Sequence, residues 1–252
     1  MRGLQVRDIV LGEGMPKVCV PLTDRSLEGL VDTIKLAQSH GADLIEWRVD
    51  HFDQVNNPAL VCSTLAELRS ILGNTPLIFT LRRAVEGGAY AINDADYIEL
   101  LSAAARTKLV DLIDIEYSVG EATFNKLVDI CTNYHTSVIG SYHNFELTPQ
   151  LSFIVKKFST MRKAGAHIPK IAVMAQNSED VLRLLSASNA FSMQDFSPFI
   201  AISMGHLGVL SRLSGELFGS AMTFASAKQS SAPGQISIEE TKQILTLLHQ
   251  NA

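Results

Sequence analysis

Short apolar runs alternate with amphipathic segments along almost the whole chain. The apolar runs have the length of buried strands, while the segments between them repeat apolar residues every three or four positions, as helices do. The predicted strands cover residues 17–22, 44–49, 76–82, 111–117, 137–143, 168–174, 199–204 and 221–225. The predicted helices cover about 26–39, 58–72, 94–107, 121–133, 150–164, 178–190, 207–218 and 237–250, and a capping box at Ser237 opens the last one.

Eight strand–helix pairs in 252 residues are the number and length expected of a (β/α)₈ TIM barrel. An open doubly wound sheet is the competing architecture, but no glycine-rich nucleotide-binding loop follows a strand. No linker, low-complexity tract or repeat divides the chain, so we predict a single barrel domain over residues 1–252. The segment before residue 17 predicts a short N-terminal strand or hairpin that closes the bottom of the barrel.

Composition narrows the classes of partner. The net charge is −5 and no basic tract occurs, so we expect neither nucleic acid nor a membrane as a partner. No run approaches the length of a membrane span, and the N-terminus lacks the features of a signal peptide. The chain has 3 cysteines, widely spaced and without a Cys-x-x-Cys pair, which indicates reduced thiols in a cytoplasmic protein.

Five successive predicted strands carry ionisable or polar residues on one face only. Side chains alternate between faces along a strand, so residues of the same parity point the same way. The shared face holds Glu46, Arg48, Thr80, Arg82, Asp114, Glu116, Ser141, His143 and Lys170. All but Lys170 come late in their strands, where barrels of this kind hold active sites. Lys170 comes earlier and is therefore expected deeper in the barrel.

Lys170 stands in an otherwise apolar strand, Ile168–Met174, where an ammonium group would lose its hydration. The neutral amine favoured there is a nucleophile for carbonyl carbon, which is the basis of Schiff-base chemistry. The alternative is a lysine whose stem lies on apolar surface while its head reaches water. Likewise, His143 alone could be a satisfied core histidine, and Glu46 with Arg48 a plain ion pair. Their clustering on one face favours an active site.

A metal site is not indicated by the sequence. The 7 histidines are scattered, and no His-Glu-x-x-His pattern occurs. His143 with Glu46 and Glu116 could supply ligands, but the cations of the same face would crowd a metal ion with positive charge. We therefore predict that the protein uses no metal.

Five separated segments resemble the type I 3-dehydroquinate dehydratases. They are Glu46–Asp50, Glu86–Gly88, Ser141–Phe145, Pro169–Met174 and Ser231–Gln235, and the resemblance runs from about Lys17 to the C-terminus. It implies a (β/α)₈ barrel, usually a homodimer, without a metal or organic cofactor. Such enzymes convert 3-dehydroquinate to 3-dehydroshikimate in the shikimate pathway of aromatic amino acid biosynthesis.

The resemblance also implies roles for individual residues. Lys170 would form the Schiff base, His143 would act as general acid and base, and Glu86 would orient His143. Arg212 would bind the substrate carboxylate, and Met204 would line the pocket. The other substrate-binding residues would be Glu46, Arg48, Arg82, Ser231 and Gln235, the last two on a loop that closes over the substrate.

Three positions depart from the family pattern. Pro21 stands where a serine is common, Ala175 where a proline is common and His206 where a lysine is common, which leaves details of substrate contact and loop shape open. Two other activities also remain open: a metal-independent Schiff-base aldolase, and a catalytically silent barrel that binds a cyclic carboxylic acid.

Overall fold

Eight parallel strands form the centre of the computed structural model, which describes residues 3–228 and 232–251. A two-stranded antiparallel hairpin precedes them, formed by β1 (Leu4–Val6) and β2 (Ile9–Leu11). The parallel strands are β3 (Lys17–Leu22), β4 (Leu44–Arg48), β5 (Leu77–Thr80), β6 (Leu112–Glu116), β7 (Ser137–Asn144), β8 (Ile168–Met174), β9 (Ile200–Met204) and β10 (Met222–Phe224). Each lies within one or two residues of its predicted position.

Helices alternate with these strands along the chain. They are α1 (Leu27–Ser39), α2 (Pro58–Leu72), α3 (Asp94–Thr107), α4 (Glu121–Asn133), α5 (Leu151–Lys163), α6 (Ser178–Ser192), α7 (Val209–Leu213), α8 (Gly215–Phe218) and α9 (Ile238–Gln250). The predicted capping box at Ser237 is present, with Glu240 as its second member. Within the described ranges, no helix combines the length and apolarity needed to cross a membrane.

The prediction of one helix over residues 207–218 is wrong. A 3-10 turn (His206–Gly208) leads into α7, which ends at Leu213, and Ser214 separates it from the short helix α8. Ser211 explains part of the difference, because its hydroxyl accepts the backbone N–H of Ser203 at 2.8 Å and donates to the Gly208 carbonyl at 2.8 Å. These bonds hold the segment against β9, where a longer regular helix would turn away.

The strands close into a barrel. Neighbours pair in sequence order from β3 to β9, and β10 pairs with β3. A bridge between Phe199 and Ser220, with the Ala221 N–H donating to the Phe199 carbonyl at 2.8 Å, joins the starts of β9 and β10. Eight parallel strands surrounded by helices confirm the predicted (β/α)₈ barrel.

An apolar layer fills the lower interior of the barrel. It consists of one residue near the start of each strand, namely Cys19, Leu44, Ile78, Leu112, Ile139, Ile168, Ile200 and Met222. Val6 and Leu11 of the hairpin pack against this layer and are buried, which confirms that the N-terminal hairpin closes the barrel bottom. The neighbouring residues of opposite parity form a separate core between strands and helices.

The next interior layer is polar on most strands. Two residues further along, the same face of each strand carries Pro21, Glu46, Thr80, Asp114, Ser141, Lys170, Ile202 and Phe224, all of them buried. Buried charges require partners, because little water reaches them. The barrel therefore places a charged layer directly above an apolar base, and that layer is the floor of the site.

Candidate active site

A cavity lies above the polar layer, and its empty space of about 610 Å³ includes a part that is open to solvent. Every predicted site residue that the structure describes lines it: Glu46, Arg48, Arg82, Glu86, His143, Lys170, Met204, Arg212 and Gln235. Ser231, also predicted for this site, lies outside the described residues. The remaining lining residues, which the sequence analysis did not select, are Gly87, Phe145, Ala172, Ile202, Phe224 and Ala232.

Lys170 lies on the cavity floor and is only 5% exposed. Its Nζ donates to Oδ2 of Asp114 at 3.1 Å, and Oε1 of Glu46 is 3.6 Å away. The ring of Phe224 lies on another side, with its centroid 4.5 Å from Nζ. The apolar sequence of β8 therefore gives no sign of these two carboxylates, which reach Lys170 from β6 and β4 across the barrel interior. Both favour a cation at this position, whether an ammonium or a protonated imine.

Asp114 joins Lys170 to a second cation. Its Oδ2 also accepts from Nη2 of Arg82 at 2.8 Å, and its Oδ1 accepts from the Ser141 hydroxyl at 2.5 Å. Burial disfavours a carboxylate, but Arg82 and Lys170 hold the pKa of Asp114 well below its ordinary value. Nη1 of Arg82 donates to Ser141 at 2.9 Å and to Glu116 at 3.2 Å. The guanidinium of Arg82 thus ties together the polar layer.

His143 and Glu86 form a hydrogen-bonded pair on the cavity wall. Oε2 of Glu86 lies 2.9 Å from Nδ1 of His143 and accepts the backbone N–H of the same residue at 3.1 Å. The Ser118 hydroxyl donates to Oε1 of Glu86. Burial raises the pKa of Glu86, although Arg82 and the Ser118 hydrogen bond act in the opposite direction.

The imidazole of His143 is therefore set up as a base. Burial, together with the positive charges of Arg82 and Lys170, holds the pKa of His143 well below its ordinary value, so the ring is neutral at neutral pH. The Glu86 carboxylate accepts hydrogen bonds, which places the ring proton on Nδ1. The lone pair of Nε2 is then available to the cavity that His143 lines.

Arg48 is held by Asp50 and not by Glu46. Its Nε and Nη2 donate to the two carboxylate oxygens of Asp50 at 2.9 and 2.8 Å, a two-bond fork. Asp50 also accepts the backbone N–H groups of Arg82 at 3.3 Å and Ala89 at 3.0 Å. The simple Glu46–Arg48 ion pair is thus excluded, and Asp50 fixes both Arg48 and the backbone on either side of Glu86.

Arg212 is a buried cation without a carboxylate among the described residues. Its side chain is on the short helix α7, and the residue is only 3% exposed. Nη2 donates to the Pro233 carbonyl at 2.8 Å, while Nε has no partner among the described residues. Burial lowers the pKa of Arg212 to about 10. A buried cation in this state is suited to an anionic ligand, which would supply the missing charge.

The loop after β10 reaches the cavity by lying on the turn after β9. The Gly205 N–H donates to the Pro233 carbonyl at 3.2 Å. Gly234 adopts a φ of +81°, and a Cβ at this position would lie 2.3 Å from the Gly205 carbonyl oxygen. Only glycine allows this approach, which brings Ala232 and Gln235 to the cavity wall.

The three departures from the family pattern lie outside the cavity lining. Ala175 packs with Val181 and Leu185, His206 is exposed, and Pro21 lines a separate pocket. Among the described residues, no group of three His, Cys, Asp or Glu side chains is arranged to hold a metal ion. The cysteines are free, and burial raises the pKa of Cys19 below the site, which keeps it a thiol.

Several residues that shape the site were not selected from the sequence. Strand parity placed Asp114 on the shared polar face, but no role in the site was assigned to it; Phe224 follows the same parity rule on β10. Asp50 is the last residue of the Glu46–Asp50 segment, and this position was a weaker indication that it contributes to the site. Ser118 lies on a 3-10 turn (Tyr117–Val119), and no spacing along the chain relates it to Glu86.

Comparisons with known proteins give the same family as the resemblance seen in the sequence. Residues 18–252 match the model of the family described as type I 3-dehydroquinase. The chain is 46% identical over 249 residues to 3-dehydroquinate dehydratase of Bacillus licheniformis, with 98% of each chain covered. It is 43% identical over 250 residues to the enzyme of the same name from Listeria monocytogenes, with 99% of each covered.

A solved structure of a protein with the same family description has the same fold. The crystal structure of type I 3-dehydroquinate dehydratase from Clostridium difficile with covalently modified comenic acid superposes with a TM-score of 0.96 at 43% identity, covering 100% of this chain and 99% of that one. Fold and cavity therefore define a (β/α)₈-barrel enzyme. The chain belongs to the type I 3-dehydroquinase family.

Proposed function

We propose that the protein dehydrates 3-dehydroquinate to 3-dehydroshikimate, in the shikimate pathway of aromatic amino acid biosynthesis, through a lysine Schiff base. One observation carries this proposal: a single cavity holds a buried lysine, a neutral histidine and an arginine that has no carboxylate partner among the described residues. Lys170 supplies the nucleophile, His143 supplies the base and Arg212 supplies the site for the substrate carboxylate. Together these three groups meet the needs of the reaction.

The first step is imine formation at Lys170. Nζ of Lys170 gives up a proton to Glu46, and the free amine adds to the ketone carbon of 3-dehydroquinate. The hydroxyl group of the adduct takes this proton back and leaves as water, which gives a protonated imine. The carboxylates that faced the ammonium at 3.1 and 3.6 Å then face the iminium, which they stabilise in the same way.

The second step is elimination at the carbons next to the imine. Nε2 of His143 removes a proton from the adjacent carbon, and the electron pair of that C–H bond moves into the iminium to give an enamine. His143 then returns the proton to the departing hydroxyl group, so that water leaves. Glu86 stabilises the imidazolium between these transfers. Hydrolysis of the imine releases the product and restores Lys170.

The remaining side chains orient the substrate. Arg212 binds its carboxylate through two parallel hydrogen bonds, while Glu46, Arg48 and Gln235 contact its hydroxyl groups. Met204 supplies apolar contact, and Arg82 positions Asp114. Ser231 stays a predicted substrate contact, and closure of the segment that carries Gln235 over the substrate excludes water from the imine. Every step has a protein side chain assigned to it, so the proposal includes neither a metal nor an organic cofactor.

We further infer one catalytic domain that works as a cytoplasmic homodimer. Free cysteines support a reducing compartment. Exposed leucines on α6, α7 and α8, namely Leu182, Leu210 and Leu217, provide apolar surface for a second copy. Light scattering during size-exclusion chromatography should give twice the chain mass of 27.5 kDa, and a mass of one chain would refute the dimer.

Borohydride trapping tests the proposed chemistry. Protein mixed with 3-dehydroquinate and reduced should gain the mass of a reduced adduct, located on Lys170 by peptide mapping. The Lys170→Ala variant should gain none, while Lys157→Ala serves as a control, since burial lowers the pKa of that lysine but it lies among aromatic rings. Turnover without an adduct would refute the Schiff base, and binding without turnover would identify a silent barrel.

A further inference from the structure

Ser118 contacts the catalytic pair from outside the cavity. It is exposed and lies on the 3-10 turn that follows β6, and its hydroxyl donates to Oε1 of Glu86. The same hydroxyl oxygen accepts from Nη2 of Arg83 at 2.8 Å. Ser118 is not a lining residue of the cavity, so a role in substrate contact is not available to it.

Arg83 determines the direction of the Ser118 hydrogen bond. A serine hydroxyl can donate one hydrogen bond and accept others. Because the Arg83 guanidinium donates to Oγ, the serine proton is directed to the other neighbour, the Glu86 carboxylate. Arg83 itself is immobilised: its Nε donates to Oε2 of Glu116 at 2.7 Å, its backbone N–H donates to Oε1 of the same residue at 2.8 Å, and Nη1 donates to Asp94 at 3.0 Å.

The chain of hydrogen bonds therefore runs from Arg83 through Ser118 and Glu86 to His143. With Oε1 engaged by Ser118, Oε2 of Glu86 accepts both from Nδ1 and from the backbone N–H of His143. Both oxygens of the carboxylate are then in use, and the carboxylate cannot rotate without losing a hydrogen bond.

We propose that Ser118 is a positioning residue that keeps Glu86 ionised and oriented, so that His143 presents the lone pair of Nε2 to the substrate. This proposal rests on the proposed acid–base function of His143. Without the Ser118 hydroxyl, Glu86 would take up a proton more readily. A protonated Glu86 could donate to Nδ1, and the ring proton would then occupy Nε2, where the base is needed.

Other charged groups also act on the pair, and the test must leave them in place. Arg82 lies 3.7 Å from Oε2 of Glu86, and Asp114, Glu116 and Lys157 also act on the Glu86 charge. Arg48, Arg82, Lys170 and Asp114 act on His143. Replacing Ser118 by alanine removes one hydroxyl and none of these charges.

The experiment compares the pH dependence of kcat and KM for wild type, Ser118→Ala and Ser118→Thr. A hydrogen bond to a charged group is worth about one pH unit or more in the titration of that group. We expect the acidic limb of kcat in Ser118→Ala to lie about one pH unit higher, so that kcat on that limb falls about tenfold. KM should change little, because Ser118 does not touch substrate. Threonine keeps the hydroxyl at an exposed position and should restore the wild-type profile.

A second readout does not depend on turnover. Histidine-labelled protein observed by NMR reports the titration of the Glu86–His143 pair at the ring of His143. The pair should take up its proton at higher pH in Ser118→Ala and at the wild-type pH in Ser118→Thr. If the wild-type protein failed to dehydrate 3-dehydroquinate and the titration of Ser118→Ala were still shifted from that of wild type, the proposed function would be refuted while the role of Ser118 would stand.

The control is Ser63→Ala, which removes an exposed hydroxyl that donates to the Leu60 carbonyl on α2, away from the site. It should leave both profiles unchanged. Superposition of the Ser118→Ala and wild-type titrations would overturn the proposal. A Ser118→Thr profile displaced as far as that of Ser118→Ala would do the same, as would a Ser118→Ala shift that persists in a Glu86→Gln background.

Discussion

Replacing Arg212 by methionine should make the protein more stable and its substrate binding weaker. Burial lowers the pKa of Arg212 to about 10 in the folded protein, where no carboxylate of the described residues offsets the effect. At about 1.4 kcal/mol per pH unit, the protonated side chain costs about 3 kcal/mol of folding free energy. Because the folded-state pKa is depressed, this cost is present in full below about pH 10 and disappears only as the pH rises above the pKa.

The net change at neutral pH follows from two opposing contributions. Methionine has a similar unbranched stem and carries no charge, so the electrostatic cost is removed. The hydrogen bond from Nη2 to the Pro233 carbonyl, 2.8 Å long, is lost, at about 1 kcal/mol. We therefore expect Arg212→Met to raise the free energy of unfolding by about 2 kcal/mol.

The same substitution should remove the partner of the substrate carboxylate. Truncating one side of a buried, hydrogen-bonded charge pair typically costs 2 kcal/mol or more, so kcat/KM for 3-dehydroquinate should fall by at least about 30-fold, mainly through KM. Urea unfolding measures the stability change, and steady-state kinetics measure the change in kcat/KM. The variant thus separates the stability of the barrel from the affinity of the site.

Arg162→Met is the matched control. Burial lowers the pKa of Arg162 as well, but its guanidinium donates to Asp195 at 2.8 Å and to the carbonyls of Pro198 at 2.7 Å and Ala166 at 3.1 Å. Its removal leaves these acceptors unpaired and should lower stability without changing KM. If Arg212→Met were destabilised to the same degree and kept its KM, Arg212 would be a structural residue and the anion-site reasoning would be refuted.

The remaining predictions concern the base and a glycine beside it. His143→Ala should lower kcat by about 10²–10⁴-fold while borohydride trapping persists, and an unchanged kcat would exclude His143 from proton transfer. Wild-type kcat should fall as the pH drops and the Glu86–His143 pair takes up a proton, since only the neutral imidazole is a base. A kcat that increases as the pH drops would contradict this. Gly88→Ala places a Cβ 1.9 Å from the Arg82 carbonyl oxygen and should lower stability by more than about 2 kcal/mol in urea unfolding. Gly14→Ala meets no atom within 4 Å and should cost only the positive φ, about 1 kcal/mol.

Strand parity explains why so much of the site could be predicted. The two faces of a strand are determined by the backbone, so the alternation of Ile78, Thr80 and Arg82 with apolar residues already separates the interior from the helix-facing side. The structure keeps this separation in both apolar cores. Apolar periodicity predicted one helix over residues 207–218, and this was wrong. There the hydroxyl of Ser211 accepts a hydrogen bond from the backbone of β9, a contact about which apolar periodicity carries no information.

The sequence by itself determined the alternation of eight strands with helices, which predicted a barrel, and the set of residues that share one face of the strands. It did so because side-chain alternation and apolar periodicity are local properties of the backbone. Only the tertiary structure decided which of these residues touch. Three contacts between different strands or turns show this: Asp114 with Lys170, Asp50 with the backbone N–H of Arg82, and Ser118 with Glu86. Their geometry depends on barrel closure and register, since a single residue's slip would turn each of these side chains to the opposite face.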